Sequence, residues 1–517
     1  MKKNYLYITV FFSGMTALAV ELSASRLIGN VYGSSNLVWA SVIGLILIYL
    51  TAGYWLGGKI ADRYPSYRTF YGILMWGSLS VGLVPMISRP ILRITSTAFD
   101  QLQIAVLAGA FITILLLFVI PVTLIGMVSP FAMKLALKDP KSAGKVSGKL
   151  SAISTIGSFI GTFLPVLVLI PLIGTYRTFL FFGSLLMVIA IIGYFITVDI
   201  KSWLRFSWMP IIMIFLWLFG TRGVDKMTNN MIYETESSYN YIQVIEQNSY
   251  RYLRLNEGQG IHSVYHPNEL YYYGPWSLAL VAPFFNAFPH SLDSVERMAI
   301  LGLAGGTTAR QASAVFDEIL IDGFEIDPKI VEVGNQFFKM NQPNLSVYIQ
   351  DGRWGLAHSD QMYDVISVDA YRPPYIPWHL TTVEFFTIVS EHLTEDGALA
   401  INIGRSPLDR TIVNDLSTTV GQVFPTTFIM DIPDSFNSIL FATKQPGSWE
   451  NIQLNFKMLS EMNIEPLLLE AMEMTIANQQ SAPKTTQVYT DDRAPIEWLT
   501  NKIVVDFFLS GGTEGFQ

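Results

Sequence analysis

The chain has 517 residues, 51% hydrophobic and only 14% charged, with a mean hydropathy of +0.37 and a net charge of −8. Soluble domains carry about 25% charged residues, so much of this chain is expected to sit in lipid, and the length allows two or three domains. The absence of cysteine excludes disulfides, thiolate metal sites and cysteine nucleophiles; the acidic balance, concentrated in the C-terminal half, is no nucleic-acid signature, and no metal site is expected.

Apolar runs long enough to span a bilayer fall near residues 5–25, 37–57, 69–88, 103–132, 150–172 and 178–198, with a shorter run at 204–220. The first continues into ELSASRL without a clear cleavage site, so it reads as a span and not as a signal peptide. Pro121, in FVIPVTLIGMVSP, is expected to kink or break the fourth run, because proline lacks a backbone donor. Basic residues recur in every second loop: Lys59, Arg63 and Arg68, then Lys134, Lys138, Lys141, Lys145 and Lys149, then Lys201 and Arg205. The positive-inside rule puts those loops and the N-terminus in the cytoplasm. If 204–220 lies in the interface, the C-terminal domain is cytosolic; if it crosses, that domain is outside. The expectation is a multi-pass cell-membrane protein with a cytoplasmic C-terminal domain.

Two features of this region bear chemistry. Glu21 and Arg26 fall within or at the end of the first span, where ionisable residues are costly and functional by default; the plainer reading is a buried structural ion pair. GYWLGGKIADRYPSYR resembles the loop between the second and third helices of major facilitator transporters at Gly57, Gly58, Asp62 and Arg63. A tight turn with a helix-end charge pair explains it equally well.

From about Met231 the texture changes. YIQVIEQNSYRYLRLNEGQGIHSVYHPNELYYYG alternates apolar and polar β-formers around Asn-Glu-Gly, predicting a small antiparallel β-unit. Strands and helices then alternate over 297–445, the pattern of a doubly wound parallel sheet. TTFIMDI and NSILFATK, joined by a Pro-Asp turn, read as a closing antiparallel hairpin; 450–480 reads as helical and is followed by TTQVYTDDRAPIEWL. The predicted domains are thus a helical membrane region at 1–222, a β-unit at 229–296, a Rossmann-like nucleoside-binding domain at 297–445 and a helical extension at 446–517.

Four strand ends carry the informative residues. MAILGLAGGTTAR runs from a strand through Gly302, Gly305 and Gly306 into a helix, a turn that lets the backbone approach a ligand. The spacing is not GxGxxG, so ordinary turn glycines are the alternative. About 20 residues on, EILIDGFEID ends in Glu325, where an acid accepts the ribose hydroxyl protons. Asp351 and Gly352 end the third strand, near an adenine amino group or as a solvated turn. Asp369 ends the fourth, beside the reactive end of a cofactor or as a helix cap.

These stretches, together with YNYIQVIE, GFEIDPKI, QDGRWGL and YDVISVDAYRPPYIPWHLTTVEFF, resemble the spermidine synthase (polyamine aminopropyltransferase) family over residues 231–445, and the whole chain is similar to its membrane-fused bacterial members. The resemblance implies an S-adenosylmethionine-methyltransferase-like fold that binds decarboxylated S-adenosylmethionine and passes an aminopropyl group to an amine such as putrescine. It gives the cofactor to Gly302, Gly305, Gly306, Glu325, Asp327, Asp351 and Gly352. The residues assigned to the acceptor are Asn240, His262, Tyr273 and Arg372, and catalysis is assigned to Asp369.

Departures from the family pattern matter. The loop after the fourth strand, roughly Asp-Ser-Ser-Asp-Pro in soluble synthases, is Asp369-Ala370-Tyr371-Arg372-Pro373-Pro374 here. Its second acid, the family's base, is replaced by Arg372 or a proline, and arginine is no base at neutral pH. The family's glutamine near the first hairpin is Asn240, and Tyr271, Tyr272, Tyr273 and Gly274 stand where bacterial synthases usually have Tyr-His. Asp491 and Asp492, in TDDRAPIEW, are the candidates to supply the missing acid; a salt-bridged structural loop is the alternative. The leading reading is a membrane-anchored aminopropyltransferase-like enzyme acting on a small amine, with a homodimer as a further expectation and no nucleic-acid partner. The alternatives are an S-adenosylmethionine methyltransferase, favoured by Arg372, and a transport or sensor protein with a non-catalytic nucleoside-binding domain.

Overall fold

The computed structural model describes residues 2–32, 36–102, 106–198, 200–221, 228–256, 260–370, 376–406, 409–500 and 502. The chain forms two compact units, one of Met1–Thr228 with Glu236–Tyr241, the other of Asn229–Thr235 with Ile242–Gln517.

The first unit is helical. Among the described residues, six helices are long and apolar enough to cross a membrane: Lys2–Tyr32, Val38–Arg63, Tyr67–Ile94, Gly109–Ala136, Pro140–Ile173 and Thr175–Thr197; Leu204–Gly220 is shorter. Small residues set the closest approach. A Cβ on Gly157 would lie 2.0 Å from the Phe11 carbonyl oxygen, and one on Gly161 2.0 Å from that of Met15, so the first and fifth spans meet backbone to backbone. The helix Val106–Gly126 runs through Pro121, and the helical backbone continues through Met127 into Val128–Ala136, so Pro121 does not end the fourth span. Gly126 packs on the helix Asn36–Arg63, its Cβ position 3.1 Å from Leu50 O.

Glu21 and Arg26 do not form the expected ion pair. Arg26 Nε donates to Glu236 Oε1 at 3.0 Å, and its Nη atoms donate to the Ser237 and Tyr239 carbonyls. Glu236 also accepts from Thr175 Oγ1 at 2.5 Å. The spacing of five puts Glu21 and Arg26 on different faces of their helix, and Arg26 takes a partner from a distant segment. Gly57, Gly58, Asp62 and Arg63 lie within the helix Asn36–Arg63 and not in a loop. Gly57 is required by contact, since a Cβ there would meet Met127 Cα at 2.6 Å, and Asp62 pairs with Lys134 at 2.6 Å.

The second unit holds two sheets. Strands β1 (Met231–Glu236), β2 (Tyr241–Gln247), β3 (Tyr250–Leu255) and β4 (Ile261–Tyr265) form a four-stranded sheet in sequence order, with β2–β3 and β3–β4 antiparallel. The larger sheet comprises β5 (Arg297–Leu301), β6 (Leu320–Glu325), β7 (Leu345–Ile349), β8 (Tyr363–Val368), β9 (Leu393–Gly404), β10 (Thr426–Asp431), β11 (Asn437–Thr443) and β12 (Gln479–Gln480). Its order is β12-β10-β11-β9-β8-β5-β6-β7. Strands β5 to β9 pair in parallel, while β10 and β11 form an antiparallel hairpin against β9.

This is a Rossmann-like, methyltransferase-type doubly wound fold. Its strands are buried on both faces, which is why MAIL, DVISV and LAINI read as nearly continuous apolar runs. One face is covered by Thr307–Val315 and by the tail helices Trp449–Ser460 and Pro466–Ala477, the other by Val383–His392 and Thr411–Val420. Helix Pro328–Phe337 joins the small sheet in a separate cluster through Ile330, Val333 and Phe338. The strand order reverses between β5 and β8, which fixes where a ligand site is expected, in the crevice beyond their carboxyl ends.

Candidate active site

Strand β5 leads into the glycine turn at that crevice. Gly302 has φ +94°, and a Cβ on it would lie 2.5 Å from Asp369 O and 2.6 Å from Ala370 Cα, so only glycine lets the ends of β5 and β8 come together. Asp369 N donates to Leu301 O at 2.9 Å across the same junction. The turn is held from β4, where Ser263 Oγ accepts from Gly305 N at 2.8 Å and Thr307 Oγ1 bonds both polar backbone atoms of Val264. A Cβ on Gly306, φ +78°, would crowd the Met340 side chain.

Glu325 ends β6 facing this turn. Its Oε2 accepts from Ala304 N at 3.0 Å and its Oε1 from Asp327 N at 3.0 Å. Only 7% exposed, the carboxyl is pushed up to about 7 by burial, against which the two N–H donors act. Asp327 is fully buried and caps the helix Pro328–Phe337 by accepting from Lys329 N. Asp351 caps Gly352–Ala357, its Oδ1 accepting from Trp354 N at 2.9 Å, and its Oδ2 lies 2.9 Å from His379 Nε2. The His379 hydrogen bond leads in holding Asp351 below the usual carboxylate range.

Asp369 follows β8. Its Oδ1 accepts from Asn402 Nδ2 on β9 at 2.8 Å, and burial pushes the carboxyl up to about 6. Asn402 Oδ1 is buried with no hydrogen-bond partner. Both residues line a small cavity with Ser367, Thr308 and apolar neighbours that include Pro275 and Ile439. A half-buried carboxyl raised to about 6 beside an open polar acceptor suits proton transfer from a held ligand.

Residues 296–452 match the spermine/spermidine synthase domain. A "Probable polyamine aminopropyl transferase" of Bifidobacterium longum (strain NCC 2705) is 32% identical over 299 residues, 54% of this chain and 64% of the relative. Residues 296–452 thus carry a spermine/spermidine synthase domain, and the chain spans just under two thirds of the Bifidobacterium relative it matches. A "Polyamine aminopropyltransferase" of Vibrio vulnificus (strain CMCP6) is 28% identical over 225 residues, 41% of this chain and 72% of the relative. The solved spermidine synthase of Thermotoga maritima aligns at 21% identity over 49% of this chain and 85% of its own, with a TM-score of 0.40. The synthase domain match lies wholly within the second unit and leaves the six apolar helices as an additional region.

The structure brings Gly302, Gly305, Gly306, Glu325, Asp351, Gly352 and Asp369 to the carboxyl edge of this domain's sheet. The two acids proposed to replace the missing base are not free to do so in the same way. Asp491 forms two 2.7 Å bonds with Arg353 and accepts from Thr382 Oγ1, and the Arg353 hydrogen bond holds it below the usual carboxylate range. That is the salt-bridged loop, and such a carboxylate is a poor proton acceptor. Asp492 is exposed in the turn bridged by Thr490 and Arg493.

Among the acceptor residues, Asn240 belongs to the helical unit, where its N–H donates to Ser237 Oγ at 2.8 Å. Tyr273 is exposed and donates to Pro433 O. His262 lies on β4; burial lowers its imidazole to about 4, and its Nε2 is buried without a partner. His262 and His266 have an HxxxH spacing, but His266 Nδ1 accepts from Asn268 N and Glu269 N, and no group of three metal-ligating side chains occurs among the described residues. Arg372 and Pro373 lie outside the described residues. Sequence reading missed Ser263, His379 and Asn402. Only Asn402 had a usable signal, a polar residue at the end of the apolar run LAINI.

Proposed function

We propose that this protein is a membrane-anchored aminopropyltransferase that uses decarboxylated S-adenosylmethionine and a small amine acceptor. The observation that carries the reading is Asp369, a half-buried carboxyl lining a cavity with Asn402 and abutting the glycine turn that faces Glu325. The residues suit the nucleoside. Gly302 lets the ends of β5 and β8 meet at the crevice, and the Glu325 carboxylate suits a vicinal diol, which has two protons to give. Asp351 supplies an acceptor for an amino group on the base.

The acceptor amine must be neutral to attack. Its nitrogen forms a C–N bond to the propyl carbon bound to the sulfonium while the C–S bond breaks, and the leaving group is the neutral thioether nucleoside 5′-methylthioadenosine. The proton lost from nitrogen passes to an Asp369 oxygen and then to solvent. Asp369, at about 6, is mostly ionised at pH 7.5 and matched in basicity to that task. Asn402 Nδ2 fixes one Asp369 oxygen, while Asn402 Oδ1 is open to an ammonium or amine N–H.

The alternating basic loops support a cytoplasmic catalytic domain. A reporter fused after Gln517 should mature in the cytoplasm, and maturation outside would refute that placement. The enzymatic reading is tested by incubating the purified full chain with decarboxylated S-adenosylmethionine and a panel of diamines. Formation of methylthioadenosine with an aminopropylated amine supports it. Methyl transfer from S-adenosylmethionine in its place would overturn it.

A further inference from the structure

One residue of the stretch after β8 links Asp351, through Arg353, to Asp491. His379 Nε2 lies 2.9 Å from Asp351 Oδ2, while the His379 carbonyl accepts from Arg353 Nη1 at 2.9 Å. Arg353 in turn holds Asp491 through two 2.7 Å bonds. The frame around this contact is well anchored: Thr382 Oγ1 donates to Asp491, Asp491 N donates to Glu384, and Val383 N donates to Tyr489 O. His379 is thus fixed at both its backbone and its ring. Its partner Asp351 is fixed at both carboxylate oxygens, Oδ1 by Trp354 N and Oδ2 by His379.

A carboxylate offers about four acceptor positions; the bonds from Trp354 N, His379 and the Arg353 backbone N–H fix its plane while leaving a position open. We propose that His379 is a positioning residue for base recognition: it orients the Asp351 carboxylate so that an open lone pair meets the exocyclic amino group of an adenine. The inference rests on the nucleoside-binding reading of the sheet and adds to it the residue that makes the site discriminate between bases. A neutral imidazole suffices, with its proton on Nε2. An Nε2–H donor keeps Asp351 ionised and pinned, and an ionised carboxylate rejects a base that presents a carbonyl oxygen where adenine has its amino group.

Base discrimination is the readout that a merely structural role would not move. The full chain in detergent is titrated with 5′-methylthioadenosine and with its 6-deaminated counterpart 5′-methylthioinosine. Wild type should prefer the adenine compound by roughly ten- to a hundredfold, the span of one charge-assisted hydrogen bond. His379→Phe keeps a ring beside Trp378 and removes the donor; its preference should fall to about threefold or less. His379→Gln restores an N–H donor and should recover most of the preference. The Phe and Gln variants are compared at matched melting temperature, so that loss of folding is not read as loss of recognition. A Phe variant that discriminates as wild type does would overturn the proposal while leaving nucleoside binding intact. A wild type that binds neither compound would bring down the nucleoside reading and this inference with it.

Discussion

Glu325 should make nucleoside affinity strongly pH-dependent. Burial pushes its carboxyl up to about 7 in the free protein, so it is half protonated at neutral pH. A ribose diol donates two O–H bonds and requires the ionised form as acceptor, so the nucleoside lowers this pKa and binding releases a proton. The sign follows: affinity is complete above about pH 8 and is lost as pH falls through about 7. Treating Glu325 as the single linked group, the apparent dissociation constant rises about tenfold between pH 8 and pH 6, since the ionised fraction falls from about 0.9 to about 0.1. Isothermal titration of the full chain with methylthioadenosine, in two buffers of different ionisation enthalpy, should show about half a proton released per nucleoside near pH 7. Glu325→Gln should weaken binding by about 1.5–3 kcal/mol at pH 8, the range for a hydrogen bond to a charged group, and should flatten the pH profile. A wild-type constant that is flat from pH 6 to pH 8.5, with no proton release, would refute the reasoning.

Four further outcomes are expected. Asp369→Asn should lower turnover roughly 10²–10⁴-fold, the span for a general base, with nucleoside affinity little changed. The same change should raise thermal stability. The folded carboxyl titrates at about 6 against an unfolded value near 3.8, so the stability it confers in acid is lost as pH rises through 6. Asn removes that loss, by roughly 1–3 kcal/mol above pH 7 and by nothing near pH 3; melting curves of wild type and mutant that run parallel across this range would contradict it. Gly302→Ala should abolish nucleoside binding, because its Cβ would sit 2.5 Å from Asp369 O at a backbone φ of +94°; a mutant of wild-type affinity in a binding titration would contradict that account. Arg26→Ala should destabilise the helical unit by about 2–4 kcal/mol, because it strips Glu236 of its cationic partner. Combining it with Glu236→Ala should recover part of the loss, and strictly additive melting shifts would show that the pair is uncoupled.

The architecture was legible where one physical signal dominated. The six apolar helices follow from run length, and the doubly wound sheet from apolar strands each ending in glycine or an acid. The place of Glu325 at the end of β6, facing the glycine turn, was legible for the same reason. Contacts between segments far apart in sequence were not legible. Nothing in the first span indicates that Arg26 binds Glu236, 210 residues away. Likewise Arg353 meets Asp491 across 138 residues, a pairing that turns a candidate base into a counter-ion. His379 was missed because its partner Asp351 comes from a different strand end.

The most direct test of the account is mass-spectrometric detection of both products after the purified full chain is incubated with decarboxylated S-adenosylmethionine and each of several diamines. The account predicts methylthioadenosine and a singly aminopropylated amine in equal amounts, both lost in Asp369→Asn. Neither product from any amine, by a wild-type protein that binds the nucleoside, would contradict it.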